Sequence, residues 1–586
     1  MNLDGPDLST PPDDRRRLLS PRELGLVLAV SAFLTVAHGL HYLVSNQVQY
    51  FLYGLRLADP AFAQNDWFTW ETSHYHFAFG WLLWLLSKLG PLVVTTQFAQ
   101  WLCLLAFSTG LYLLARRFCR HAVVVFLAVA LWYGLAFPAD KGLGQLYLIS
   151  DVLQPSQVAG ALFVLGLALL FERRFLGSGL ALGAAGLFHV GILIAGAPVV
   201  LVQALACGVL KGRRRWLRFG ASVVLLWGVV AALLIERMLG SQPGDGAALN
   251  VLIYFRASHH HVPATWGLLD ILTWGVWVIG GTAAMLAAPR DAPHRALRLS
   301  LVAAFITCTA GLLFAVTAAI PALTAALLWR ISAWALLLCL LCLLDVWVDL
   351  MLGERRIGRA EVFFVLAVLA AGVLWIVRSP TPRYVPARLA WLVAVPGAVM
   401  AAWVWRRLSR RQATRLVLAV LMAGVAFFGL TRATHLWADR SDAAALEEWV
   451  RANVPPGSVL VVPPDLGALR ARTGRAVVVD WKCFPMAPAE IREWLRRICD
   501  LCGVPEAHVR SAIATRRLSS YTARTLLDRG YRRLDGSRAR ELGRRYGVRF
   551  VVVRADDHLG SLSGLDERYR NPSYVLLEVP PGGEQR

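Results

Sequence analysis

Four stretches of this chain carry residue types that can do chemistry, and each stands beside apolar sequence. In FAQNDWFTWETSHYHFAFG (62–80), Asp66, Glu71, His74 and His76 crowd together, with Asp59 just before them. A carboxylate at a membrane surface can take a proton from an acceptor hydroxyl or amide, or help hold a divalent cation, and imidazoles beside it can assist. The plain alternative is a solvated loop that Trp67, Phe68 and Trp70 anchor to lipid headgroups. In YFRASHHHVPATW (254–266), the planar guanidinium of Arg256 suits phosphate oxygens, while His259, His260 and His261 can donate to anions, shuttle protons or bind a metal. Pro263 favours extension before it, and an extended run alternates its side chains. His259 with His261, or His260 alone, is therefore expected to face a site.

The third group lies within apolar runs. Arg330 in LLWRISAW carries a charge that costs about 3 kcal/mol or more in lipid, so by default it faces a cavity or a partner; snorkelling or a backbone carbonyl is the alternative. His189 in GLFHVGI is more often a satisfied helix contact than a ligand. In the fourth stretch, LRARTGRAVVVDWKCFP (469–485), Arg470, Arg472 and Arg475 precede a short strand that ends at Asp480 and Lys482. Strand ends are where α/β sheets place ligands, and bases beside Trp481 suit a sugar phosphate or a glycan; an ordinary surface turn is the competing reading.

The elements that must position these residues follow from composition. With 586 residues, 57% of them hydrophobic and 17% charged, the chain falls outside the soluble globular range and inside the polytopic membrane range. Apolar runs recur from 24–44 through 92–115, 121–137, 156–172, 176–193, 195–211, 218–236, 266–288, 298–318, 322–349, 360–378 and 388–406 to 414–431, which predicts about 13 transmembrane helices. FAFGWLLWLLSKLG (77–90) is short for a span and reads as a helix lying in the interface plane. Basic clusters at 15–17, 115–121, 172–175, 211–218, 289–298, 353–359 and 406–415 mark the cytoplasmic side. That threading gives a cytoplasmic tail (1–22), a transmembrane domain (23–432) with external loops 45–91, 138–155 and 237–265, and an extracytoplasmic α/β domain (433–586). The first span reads as an uncleaved signal anchor. In the last domain, strands are expected at SVLVVPP, RAVVVD, VRFVVVR and YVLLEV, with helices over 488–501 and 505–545.

The net charge of +22 sits mostly in short loops between apolar runs, so it is a topology signal and implies no nucleic-acid partner. No G-x-x-x-x-G-K-[ST] loop occurs, which argues against ATP-driven transport by this chain alone. Asp345 and Asp349 share a helix face near the cytoplasmic end and read as a structural pair. Cys339 and Cys342 read as buried hydrophobes; Cys499 and Cys502, with Cys483 and His508 nearby, lack a second ligand pair at zinc-finger spacing.

An acidic residue in the first external loop, about a dozen passes and a C-terminal extracytoplasmic α/β domain together resemble the GT-C superfamily of integral-membrane glycosyltransferases. The resemblance covers nearly the whole chain in layout and few positions in detail. It implies transfer of a sugar from a polyprenyl-phosphate carrier to an extracytoplasmic glycan, lipid or protein, in a bacterial cytoplasmic membrane. Asp66 then matches the family's loop carboxylate as catalytic base, with Asp59 and Glu71 as lesser matches, while Arg256, the histidines and Arg330 would meet the phosphate. Where many members carry paired acids this chain has Asn65 and Asp66, which leaves a divalent cation (magnesium or manganese) as an open candidate. A flippase for lipid-linked sugars and a non-catalytic scaffold for envelope assembly are the competing classes.

Overall fold

Ser20 opens the first helix: its hydroxyl accepts from the Glu23 amide while the Glu23 carboxylate accepts from the Ser20 amide, so two orphan donors are satisfied before Pro21–His38 begins. The computed structural model describes residues 18–74, 76–135, 141–228, 245–317, 321–351, 441–557 and 562–580. The expected spans at 360–378, 388–406 and 414–431 lie outside them. Among the described residues, four helices are long and apolar enough to cross a membrane: Leu92–Phe118, Asp270–Ala287, Ala292–Thr317 and Leu323–Asp349. This is fewer than the apolar runs suggested. Pro155–Phe171, Phe175–Phe188 and Val190–Ala206 have 17, 14 and 17 residues, and at 1.5 Å per residue they fall short of about 30 Å of hydrocarbon. Pro155–Phe171 is apolar on all sides because nearly every side chain in it is buried, at the centre of the bundle. Small residues let helices approach closely there: a methyl group added at Gly110 would stand 2.8 Å from the Leu165 backbone.

The two ends of the bundle differ in chemistry. At one end Arg116 bridges Glu23 and Glu172, at 3.4 and 3.0 Å, and the His121 ring meets Asp349 at 2.9 Å while its amide donates to Asp345. The two aspartates thus dock the basic loop 119–121. At the other end, segments from 45–91, 138–155 and 245–265 meet: Asn46 donates to Gln154 and the His260 ring meets the Gly144 carbonyl. The first of these segments is no open loop. It holds helices Leu52–Ala58, Trp67–Glu71 and Phe77–Leu89, packed on the bundle.

The C-terminal domain caps that same end. Its five strands, β1 (Val459–Val461), β2 (Ala476–Val477), β3 (Val548–Arg554), β4 (Asp566–Arg570) and β5 (Tyr574–Glu578), lie in the order β2-β1-β3-β5-β4. The first three run parallel and β5 is antiparallel to both its neighbours. Alternation sorts the faces: Leu460, Phe550, Val552 and Leu576 pack on helix Asp442–Asn453, while Val461, Val551, Val553 and Val575 pack on helices from 488 to 546. Two details correct the sequence reading. The stretch 505–545 is three helices, because Ser519 and Asp535 each cap a new start with their side-chain oxygens. The charged DERYR segment forms edge strand β4, whose polarity hid it. The second sheet face shares one apolar core with Phe51, Trp67, Phe68 and Phe79 of the first segment and Val251–Phe255 of the third.

Candidate functional site

Asp66 is the N-cap of Trp67–Glu71, so one carboxylate oxygen accepts from the Thr69 amide at 2.8 Å. The other accepts from Arg470 Nε at 2.6 Å and the Val477 amide at 2.9 Å, and the side chain is fully buried. Arg470 also donates to Asp480 at 2.7 Å, and the second Asp480 oxygen holds the Lys482 and Cys483 amides. These residues form a buried carboxylate–guanidinium–carboxylate triad that fastens the first segment to the sheet. Asn65 to Gly457 and Ser73 to Glu490 add hydrogen bonds beside it. A carboxylate already neutralised by a guanidinium is poorly suited to a divalent cation. Among the described residues no three histidine, cysteine or acidic side chains gather as metal ligands.

The other acids of this segment stand apart. Asp59 is exposed and accepts from the Ala61 amide, and Glu71 is exposed at the end of its helix. His74 stacks on Tyr53 with ring centroids 4.5 Å apart and donates to the Thr69 carbonyl, while burial pushes its imidazole down to about 4. Of the outer-domain residues, Arg472 pairs with Glu447 at 2.9 Å and Arg475 donates to the Val454 and Arg451 carbonyls.

Arg330 occupies a break in the span Leu323–Asp349. Leu327 takes a left-handed conformation (φ 53°), which turns the chain into the tight turn Leu328–Ile331 before helix Ser332–Met351 resumes. A leucine in that conformation costs about 1 kcal/mol or more. The turn places Trp329 Nε1 on the His260 carbonyl and leaves the Arg330 guanidinium half-buried, with no ion pair to any described residue and its Nε without an acceptor. His189 joins helices Phe175–Phe188 and Val190–Ala206, and Gly191 keeps the space between its ring and Arg330 Nε open. His76 lies 5.1 Å from His189 ring to ring and 5.0 Å from Tyr50. Tyr50, Tyr147, His76, His189, His260 and His261 all lie within electrostatic reach of Arg330.

The histidine run is not extended as expected. Ser258–His261 is one helical turn, because the Ala257 carbonyl accepts from the His260 and His261 amides. The restraint from Pro263 reaches only Val262, which is extended (φ −114°). A helical turn fans the rings out in three directions: His259 to the Ser520 hydroxyl, His260 to the Gly144 carbonyl and His261 to the Thr324 carbonyl, at 3.1, 2.7 and 3.1 Å. A carbonyl only accepts, so His260 and His261 carry their proton on Nδ1 and keep Nε2 as the lone-pair nitrogen. Burial, with the charge of Arg330 and the neighbouring rings, holds His261 down at about 4.

Arg256, at the end of the widened turn Val251–Arg256, donates to the Lys482 carbonyl at 3.2 Å and lies over Trp481 and Phe484. His259 is pushed down to about 4 by burial and by Arg256, Lys482, Lys141 and Arg524. These four bases come from four distant segments, so no local spacing reveals the cluster. The sequence reading missed Lys141 and Arg524, and Tyr50 and Tyr147 near Arg330, for that reason.

Residues 441–501 match the model of a domain of unknown function, DUF6798. No curated protein matches the chain. Among solved structures, the chain is similar to the apo crystal structure of ArnT from Cupriavidus metallidurans, at 14% identity and a TM-score of 0.48, over 95% of this chain and 97% of that one.

The basic cluster has a pH signature. Burial and then Arg256 push the Lys482 ammonium down to about 8, so it is charged below that pH and neutral above it. Sulfate keeps a constant charge between pH 7 and 9, and its affinity is expected to fall about tenfold over that range. Isothermal titration should show the fall in the native chain and flatten it in Lys482→Arg.

Proposed function

We propose that this chain is a membrane glycosyltransferase that moves a sugar from a polyprenyl-phosphate carrier to a glycan, lipid or protein acceptor on the outer face of a bacterial cytoplasmic membrane. The observation that carries the reading is Arg330: a half-buried guanidinium at a break in an apolar helix, within electrostatic reach of four imidazoles and without an ion pair to a carboxylate among the described residues. A cation kept there at a cost of several kcal/mol, about 3 or more, is suited to an anion that arrives from the membrane. The basic loops gathered at the opposite end of the bundle support an outward orientation for this end.

In this reading the carrier phosphate rests on Arg330, which stabilises the charge that grows as the sugar leaves. Burial is the main cause that depresses His260 and His261, and a bound anion relieves the smaller share that comes from Arg330. Their Nε2 lone pairs are the groups placed to take the acceptor's proton. Asp66 serves by holding the first segment against the C-terminal domain, with Arg256 and Lys482 as a further basic surface beside it.

Transfer and flipping make different products. The protein reconstituted in bilayers with a radiolabelled polyprenyl-phosphate hexose and envelope acceptor is expected to release free polyprenyl phosphate as label appears in the acceptor. Movement of intact carrier across the bilayer without cleavage would overturn the proposal.

A further inference from the structure

A cleft of about 390 Å³ opens in the C-terminal domain, and Arg330 is not among the residues that line it. It lies at the carboxyl ends of the three parallel strands: Pro464 and Asp465 follow β1, Trp481 follows β2 and Arg554 ends β3. Helix Ser520–Tyr531 forms the opposite wall. Crevices at this position of a parallel sheet take ligands because loops there diverge and leave backbone and side-chain groups unpaired. The volume is at the lower end of ligand pockets, which run about 300–1,000 Å³.

Arg554 is held between Asp465 and Asp528, at 2.8 and 2.6 Å, Asp528 also accepts from Arg532 at 3.1 Å, and both carboxylates remain partly exposed, at 52% and 38%. Neutralised in this way, they present acceptor oxygens and the guanidinium presents donors, the pattern that pairs with vicinal hydroxyls. One helical turn before Asp528 stands Arg524, exposed and without an ion pair among the described residues, within electrostatic reach of Lys482. The cleft is also lined by Trp481, nearly buried, and Tyr521, 59% exposed with its ring 6.2 Å from His259. An aromatic ring of that size left in solvent offers a face on which a sugar ring can pack.

We propose that this cleft binds a sugar ring bearing a phosphate group, its hydroxyls toward Asp465 and Asp528, its ring against Tyr521 and Trp481, and its phosphate toward Arg524. The inference stands on the cleft alone and does not depend on the transfer reaction. A free sugar phosphate and a lipid-linked sugar phosphate share this chemistry.

The full-length protein in detergent would be titrated with a hexose 1-phosphate, the neutral hexose and inorganic phosphate. The hexose 1-phosphate is expected to bind at least about tenfold tighter than either of the others. Arg524→Ala should reduce it to the affinity of the neutral hexose, and Tyr521→Ala should weaken both sugars about tenfold while sparing phosphate. Both side chains are exposed, so neither change threatens folding. Displacement by a short-chain prenyl phosphohexose would assign a lipid-linked source, and its failure to displace would assign a soluble one. Affinity unchanged in both cleft variants, or lost in Arg330→Met with the cleft intact, would overturn the proposal.

Discussion

Replacing Asp66 with asparagine is expected to destabilise the protein by about 1–3 kcal/mol, because it weakens buried charge-assisted hydrogen bonds to Arg470 and the Val477 amide while Arg470 stays paired with Asp480. Arg470 and Asp66 are both fully buried, and the remaining contact to Asp480 cannot satisfy the guanidinium Nε at the same time. The amide also cannot accept from both Arg470 and the Val477 amide with the strength of a charged oxygen. The loss falls at the junction of two parts of the molecule. Limited proteolysis should therefore cut the first segment, near Asp59, well before the bundle unfolds. The check is a thermal melt in detergent combined with mapping of the early cleavage sites. A melt and cleavage pattern identical to the native protein would refute the fastening role. The double variant Asp66→Asn, Arg470→Met should lose more than Asp66→Asn alone, since it leaves the buried Asp480 carboxylate without its cation.

Replacing Arg330 with methionine is expected to act in the opposite sense on stability. With no ion pair among the described residues and an Nε that lacks an acceptor, its charge costs folding free energy that a methionine would not, so the melting temperature should stay level or rise. Binding of a prenyl phosphate should fall at least about a hundredfold, the scale of a lost charge-assisted contact in a poorly solvated site. Arg330→Lys should restore only part, because an ammonium lacks the two-pronged geometry of the guanidinium. The measurement is fluorescent prenyl-phosphate binding alongside a melt. Reduced stability with unchanged binding would make Arg330 a structural residue and remove the observation on which the transfer reading rests.

Sequence reading went furthest where physics is local. Loop charges grouped the segments at 45–91, 138–155 and 237–265, and the described parts of all three do meet at one end of the bundle. Asp66 stood out by type and setting, but its decisive partner lies 404 positions away, beyond any local pattern. The histidine run was misread because a proline's restraint extends one residue upstream, whereas the Ala257 carbonyl, well before Pro263, governs the rest. Short helices escaped for a related reason: Ser519 and Asp535 are ordinary polar residues in an Arg-rich stretch until their oxygens are seen to cap. Four helices among the described residues meet the length of a span, where more runs were counted, because three expected spans lie outside those residues and a helix apolar all round fits the centre of a bundle as well as lipid.

Helix Phe77–Leu89 carries Trp81, Leu85 and Leu89 on one face, 48%, 49% and 70% exposed, and buries Phe79, Leu83 and Leu86 on another. Its thirteen residues span about 20 Å, less than the hydrocarbon thickness. At its start His76 is bonded to the Phe188 carbonyl and faces His189, within reach of Arg330. A rod shorter than the hydrocarbon thickness, with one apolar face exposed and one end set among the polar residues, fits a place in the interface plane. Prenyl-phosphate binding in reconstituted vesicles is then expected to change with acyl-chain length, and binding that stays constant across chain lengths would detach this helix from the site.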